Sequence, residues 1–472
     1  MAIYRLTASA DTTITDGFKI DNIERAVYSN IGAADSLELY SIYINETDSQ
    51  KSRILIKFPN EKIAELRNNG QLPLAGNVKF YLKLFNVEHP YTVPQEIDVE
   101  AYPVSGAWQE GFGVDLDNYN DLGIFNNSGS GANWVYRTIN SGSQVTWATM
   151  GGDYFTAYQS QAKITDSEGN LELDVTNAVE DQLSNTIAND GFIIKLTAQE
   201  ESASLNKNYY TKRFSARGTQ YFYSKPILEA RWASYVDDNR DDFYYVSPNV
   251  ETAENSGSIY FYNTINGKLK NLPNDTIPQV KILSGSTVLL SGSSTKIANG
   301  SYKFMFALTG SGDAEVNDVW YSGSSVFYTG SVYMTNRIIS QDKFDEKYIF
   351  AITNLKKQYS HNEEAFCRIY SRKLDWSPTI YSVSSKEIEN IAHNNLYYKI
   401  FRLEDNLTVV DYGFPPESHT ACSIDSSGNY FNFQVSILEP GYTYGIKLAL
   451  FKDGQIIEAK DLYKFKVVYN EQ

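Results

Sequence analysis

The stretch Asn77-Val78-Lys79-Phe80-Tyr81-Leu82-Lys83-Leu84-Phe85-Asn86-Val87 puts Val78, Phe80, Leu82 and Leu84 on one side of an extended chain, and Lys79, Tyr81 and Lys83 on the other. A period of two belongs to a strand with one buried and one wet face. Residues 301–308 repeat it, with Tyr302, Phe304, Phe306 and Leu308 alternating against Lys303, Met305 and Ala307. Residues 430–437 do so again, with Phe431, Phe433, Val435 and Ile437 inward. Gly, Ser, Asn and Asp clusters separate these runs, at the spacing of β-sandwiches. Aromatic residues make up 14% of the chain, 36 of them Tyr and 24 Phe, and such side chains favour half-buried pleated surfaces. The fold class read from this pattern is all-β. Helix is expected only over residues 60–68, stopped by Gly70, and over residues 176–183. In the second, Val175, Val179 and Leu183 share a face and Asp174 or Thr176 caps the start.

A chain of 472 residues exceeds what one hydrophobic core supports. Two polar runs, at residues 237–242 and 340–347, have little to bury and read as joints. They divide the chain into residues 1–236, 245–338 and 347–470. The first suits a jelly-roll-like β-sandwich, and the other two each suit an immunoglobulin-like β-sandwich of about 100 residues.

The balance of 41 Lys and Arg against 57 Asp and Glu gives a net charge of −16. A field of that sign repels phosphate backbones, so no nucleic-acid partner is expected. No apolar run approaches the length of a membrane-spanning helix, so no membrane insertion is expected. The start, Met1-Ala2-Ile3-Tyr4-Arg5-Leu6, passes straight into a strand-like run and does not read as a signal peptide, which implies synthesis in a cytoplasm. Two cysteines, Cys367 and Cys422, make neither a disulfide framework nor a metal cluster.

The densest polar cluster is Asp115-Leu116-Asp117-Asn118-Tyr119-Asn120-Asp121. Calcium takes roughly six to eight oxygen ligands, which makes Asp115, Asp117 and Asp121 a candidate calcium site. Tyr119, however, stands where an EF-hand loop needs an oxygen ligand, and the loop's Gly and closing Glu are missing. No other cofactor is expected. Glu110, beside Trp108, with Asp115 or Asp117 is the kind of carboxylate pair that glycoside hydrolysis uses. Among 57 acids such neighbours arise by chance, and no catalytic residue is assigned. His89, His361, His393 and His419 form no short-spaced ligand motif, and P-loop, dinucleotide and nucleophile-elbow motifs are lacking. Trp108, Trp134 and Trp147 cluster in the first segment and are candidates for stacking on sugar rings, against the competing role of packing a core.

Several stretches carry a resemblance. Ala10-Asp11-Thr12-Thr13-Ile14, Ser52-Arg53-Ile54-Leu55-Ile56-Lys57-Phe58, Ser105-Gly106-Ala107-Trp108-Gln109-Glu110-Gly111, Leu173-Asp174-Val175-Thr176 and Gly191-Phe192-Ile193-Ile194 resemble DNRLRE-type sandwich domains, relatives of certain carbohydrate-binding modules. The whole chain resembles a structural virion protein of large contractile-tailed phages. That likeness is carried by Gly151-Gly152-Asp153-Tyr154, Phe214-Ser215-Ala216-Arg217, Leu228-Glu229-Ala230-Arg231-Trp232, Asp318-Val319-Trp320-Tyr321-Ser322-Gly323-Ser324, Tyr328-Thr329-Gly330-Ser331, Asp375-Trp376-Ser377-Pro378 and Leu438-Glu439-Pro440-Gly441-Tyr442. The resemblance implies a non-enzymatic component of the neck or collar, baseplate or tail periphery, assembled in the host cytoplasm. It also implies other virion proteins as partners, a homo-oligomer in a symmetric array, and as an alternative a host-surface glycan as ligand. These are strand and turn signatures and bring no catalytic residue with them.

Overall fold

The computed structural model describes residues 2–19, 24–89, 96–113, 131–140, 143–166, 168–202, 209–241, 243–251, 255–266, 268–336, 347–377, 390–452 and 454–469. The chain is all-β: a jelly-roll-like sandwich followed by two immunoglobulin-like sandwiches. It divides into one compact unit of residues 3–232 and a second that holds both later sandwiches.

In the first unit, one sheet runs in the order Ile3–Thr7, Ile227–Arg231, Lys79–Leu84, Leu171–Asp174. Opening and closing strands thus pair with each other, Leu6 facing Leu228, while Leu82 lies opposite both Leu228 and Leu173. These four leucines form a buried row across the sheet. The second sheet runs Tyr209–Ser215, Ser36–Asn45, Asp48–Lys57, Phe192–Leu196, Ile97–Pro103, Ser160–Ile164, with Ala10–Thr15 also pairing with Asp48–Lys57. Its inward residues Ile54, Ile56, Ile194 and Val99 close the main core against the leucine row. The two expected helices fall at Glu61–Asn68 and Thr176–Leu183. The first ends before Gly70, whose φ of 70° is the left-handed conformation glycine adopts without a Cβ clash. At the second, the Asp174 carboxylate accepts the backbone N–H and the hydroxyl of Thr176. The helices are pinned together by Arg67, which binds Glu180 through two bonds of 2.8 Å, and by a bond between Asn60 and Gln182.

The wet face of the first sheet carries an ion network. Glu229, almost fully buried, takes Arg5 Nε at 2.5 Å and Arg231 Nε at 2.7 Å, and Arg231 reaches on to Glu172. Burial alone would raise the Glu229 carboxyl; Arg5, Lys83 and Arg231 outweigh it and hold the group far below the usual carboxylate range.

The second sandwich has a five-stranded sheet in the order Phe243–Tyr244, Ser325–Thr335, Ala314–Ser322, Gln279–Ser284, Thr287–Ser293. A three-stranded sheet of Gly257–Tyr262, Ser301–Phe306 and Thr295–Ala298 lies against it. Phe243, Phe261, Tyr302, Phe304, Phe306 and Trp320 fill the space between. In the third sandwich, Tyr348–Ile352, Glu364–Lys373, Gly428–Gln434 and Ser423–Asp425 form one sheet. The other is Gln358–Ser360, Tyr463–Val468, Thr443–Lys452, Leu396–Arg402 and Thr408–Val410, with Gln455–Glu458 beside Thr443–Lys452. Among the described residues, each of these two sandwiches has one parallel pairing between an early and its last strand: Phe243 beside Met334, and Gln358 to Ser360 beside Lys466 to Val468.

The run 237–242 was expected to be a solvated joint, and the structure corrects that expectation. Asp238 and Arg240 are both buried, at 7% and 9% exposure. The partner that makes burial of Arg240 tolerable is Asp318, 78 residues further along the chain, to which Arg240 donates two bonds. The second run, 340–347, lies outside the described residues except for Lys347.

Candidate functional site

The three tryptophans proposed for sugar stacking belong to a second, smaller core. Along Phe192–Leu196 every residue is buried, so the large sheet of the first sandwich is covered on both faces. Ile193 and Leu55 point away from the main core and meet Ile14, Tyr102, Val104, Trp134 and Trp147. Trp147 is 4% exposed and its indole N–H donates to the Asn133 carbonyl at 2.9 Å. Trp134 is 7% exposed, with the Arg53 guanidinium over its ring at 5.1 Å. Trp108 packs half-buried against the same cluster and donates to the Asp190 carbonyl at 2.7 Å. A sugar ring needs an open aromatic face, and neither Trp134 nor Trp147 offers one. For these two the stacking expectation is therefore corrected: they cover a sheet.

The acidic loop with Asp115, Asp117 and Asp121 lies outside the described residues. Among the described residues, no group of three or more His, Cys, Asp or Glu side chains is placed to hold a metal ion. Glu110 is held by Arg217 through bonds of 2.5 and 2.6 Å and accepts the Asp11 backbone N–H at 2.9 Å. Asp11 in turn accepts the Arg217 backbone N–H at 2.7 Å. Burial pushes the Asp11 carboxyl up to about 7, with the Glu110 charge adding to the rise. Asp11 is 2% exposed, and Glu110 is tied up by Arg217. Cys422 and His419 are both buried, and burial raises the Cys422 thiol well above its usual range, the reverse of an activated nucleophile. Burial raises Cys367 to about 12 and lowers His393, bonded to the Ser371 hydroxyl at 2.8 Å, to about 4.

One open cleft of about 750 Å³ lies on the first sandwich. Asp16, Arg25, Asp48, Lys51 and Glu201 line it, with Trp134 and Met150 at its walls. Several of its charged groups are held: Arg25 binds Asp48 at 2.5 Å, Asp16 accepts the Lys51 backbone N–H at 2.6 Å, and Arg53 grips Glu201 at 2.6 and 3.0 Å.

The densest functional geometry is the segment 236–240, which belongs to two sandwiches at once. On one side it adds a short parallel strand to the edge Ser423–Asp425 of the third sandwich. Ile424 donates to the Val236 carbonyl at 2.7 Å, Asp238 to the Ile424 carbonyl at 3.2 Å, and Val236 to the Ser423 hydroxyl at 3.0 Å. On the other side Arg240 enters the second sandwich. Its guanidinium donates to Asp318 Oδ1 at 2.7 Å, to Asp318 Oδ2 at 2.8 Å and to the Tyr260 carbonyl at 2.9 Å. Trp320 Nε1 donates to the same Asp318 carboxylate at 2.6 Å. Gly330 faces Asp318 across the strands, and a Cβ there would lie 2.5 Å from Arg240 Nη1, so the fork fits only beside a glycine. Arg368, bonded to Asp425 at 2.5 and 2.9 Å, lies over the Tyr430 ring on the third sandwich; Lys303 lies near the Tyr260 ring on the second.

Reading the sequence for chemistry missed this cluster, yet a signal was present. Val316, Asp318 and Trp320 share one face of a strand by period two, and an acid between two core residues demands a buried cation.

No protein-family model and no curated protein matches this sequence. Among solved structures, an Escherichia coli alpha-2-macroglobulin activated by porcine elastase is 14% identical over 49% of this chain and 20% of its own, with a TM-score of 0.18. The D0-D1 domain of intimin is 10% identical over 49% of this chain and 96% of that one, TM-score 0.15. The N-terminal Ig1-2 module of the Drosophila receptor protein tyrosine phosphatase DLAR is 10% identical over 50% and 97%, TM-score 0.17. The chain thus spans about a fifth of the macroglobulin's length. Nothing about function follows from similarity at this level.

Proposed function

We propose that this chain is a non-enzymatic structural component of a tailed-phage virion, placed in the neck or collar, baseplate or tail periphery. It docks neighbouring virion proteins through its sandwich faces and loops and is repeated in a symmetric array. The observation that carries the reading is segment 236–240: the stretch that follows the first sandwich is built into the hydrogen bonding of the second and third sandwiches and ties those two to each other. A spacer in an array needs a set shape, because each repeated contact gains from its neighbours only when geometry permits simultaneous engagement. Exposed rings such as Tyr28, Tyr221 and Tyr469, each at least 65% open, are the residue type that anchors protein contacts. The resemblance of all three segments to such virion proteins points the same way. Immunogold labelling of purified virions with antibody against this chain is expected to mark one fixed position; particles without label would end the proposal.

The cleft on the first sandwich favours a second reading, retention on a host-surface glycan. Its carboxylates and guanidinium groups are the partners that sugar hydroxyls take. Retardation of the chain on host polysaccharide in affinity electrophoresis, lost on Arg25→Ala, is the result that would support it; unchanged mobility would remove it.

A further inference from the structure

We propose that segment 236–240 is a proton-dependent clasp: neutral Asp238 keeps it seated on the edge Ser423–Asp425, and ionisation of Asp238 releases that edge. The inference stands independently of the virion assignment.

The geometry is that of a carboxyl group placed where a second negative charge has no counterion of its own. Asp238 is buried, and its Oδ1 has no hydrogen-bond partner. The nearest cation is Arg240, whose Nε lies 3.6 Å from Asp238 Oδ2, but that guanidinium already gives its two terminal nitrogens to Asp318. From the third sandwich Asp425 faces the site, and its cation Arg368 is spent on it. Along the chain Asp237 precedes it and Asp241 follows the segment, and Lys303 acts on Asp237. The remaining titratable neighbours, Tyr260 and Tyr262 of the second sandwich and Tyr430 of the third, are phenols whose pKa burial raises, so they stay neutral and supply no positive charge. An ionised Asp238 would therefore sit among carboxylates with one shared guanidinium. Leaving the edge gives its oxygens water instead, at the cost of three hydrogen bonds to Ser423 and Ile424.

The direction of the linkage follows. Burial, only partly offset by Arg240, pushes the Asp238 carboxyl up to about 7, against 3.8 for the free side chain. The seated form is fully favoured below pH 3.8 and loses its advantage as pH rises through about 7. A difference of about three units lowers the seated-to-released ratio on the order of a thousandfold across that range.

The test is hydrogen exchange on the full chain, read in peptides covering residues 236–240 and 423–425. Rates are corrected for intrinsic chemistry, so that protection reports local opening. Protection of the Asp238 and Ile424 amides is expected to fall at least about tenfold between pH 5.5 and pH 8.5. In Asp238→Asn, which keeps the shape and cannot ionise, protection is expected to be the same at both pH values. Equal wild-type protection at the two pH values overturns the clasp, and so does a pH-dependent loss that persists in Asp238→Asn. The wild-type series decides the matter alone if the variant does not fold.

Discussion

Replacing Arg240 by Met tests how the second sandwich is held. Asp318 is wholly buried and accepts two guanidinium bonds of 2.7 and 2.8 Å plus the Trp320 indole N–H at 2.6 Å. Bonds to charged groups contribute about 1.5–3 kcal/mol each, so two lost bonds amount to roughly 3–6 kcal/mol. That agrees with the about 3–5 kcal/mol found when one partner of a buried ion pair is removed. Arg240→Met should therefore destabilise the second sandwich by about 4 kcal/mol at pH 7. Adding Asp318→Asn removes the stranded charge and still leaves an oxygen for the indole, so the double variant should recover about 2 kcal/mol. Trp320 is the one tryptophan between residues 233 and 375. Labelling the chain with fluorotryptophan and following the Trp320 fluorine line through a urea titration reads this transition separately. A loss below about 1 kcal/mol for the single variant, or a double variant no more stable than the single one, would refute the reasoning.

Other outcomes follow from the same physics. Glu229→Gln should destabilise the first sandwich by about 3 kcal/mol at pH 7. Because Arg5, Lys83 and Arg231 depress the Glu229 carboxyl, its stabilisation is present above pH 4.5 and declines as pH falls below it. Thermal unfolding at pH 7 and pH 3 should show the gap between wild type and variant narrowing in acid. Asp11 runs the other way: burial raises its carboxyl, so the first sandwich should be more stable at pH 5 than at pH 8, by about 2–3 kcal/mol. Asp11→Asn should flatten that dependence in scanning calorimetry. Cys367 and Cys422, both buried with raised thiol pKa values, should resist iodoacetamide at pH 8 in the native chain and react on addition of denaturant; mass spectrometry of the intact protein reads the outcome.

The strands were legible wherever one face is apolar and the other wet. Residues 77–87 yield the observed Lys79–Leu84, and 301–308 yield Ser301–Phe306. At 430–437 the regular strand stops at Gln434 and a turn of 3-10 helix follows, yet Phe431, Phe433, Val435 and Ile437 are all buried as the alternation requires. What local pattern cannot supply is the far partner. Asp238 and Arg240 look like a solvated linker until Asp318, on a strand 78 residues away, is set beside them. Trp134 and Trp147 look available for a ligand until Phe192–Leu196 is seen to need cover on both faces. In both cases a nearby signal existed: an acid on the inward side of a strand, and a strand without a wet face.

The parallel pairing inside each immunoglobulin-like sandwich bears on how the chain responds to being pulled. Where an early strand lies parallel to the last one, as at Phe243 with Met334 and Gln358 with Lys466, opposed traction on the two slides one strand along the other. The cross-links then share the load together and must fail together, whereas an antiparallel pair hauled from one end parts link by link. A component strung in this way would hold its length under a jolt until a threshold force, then give abruptly.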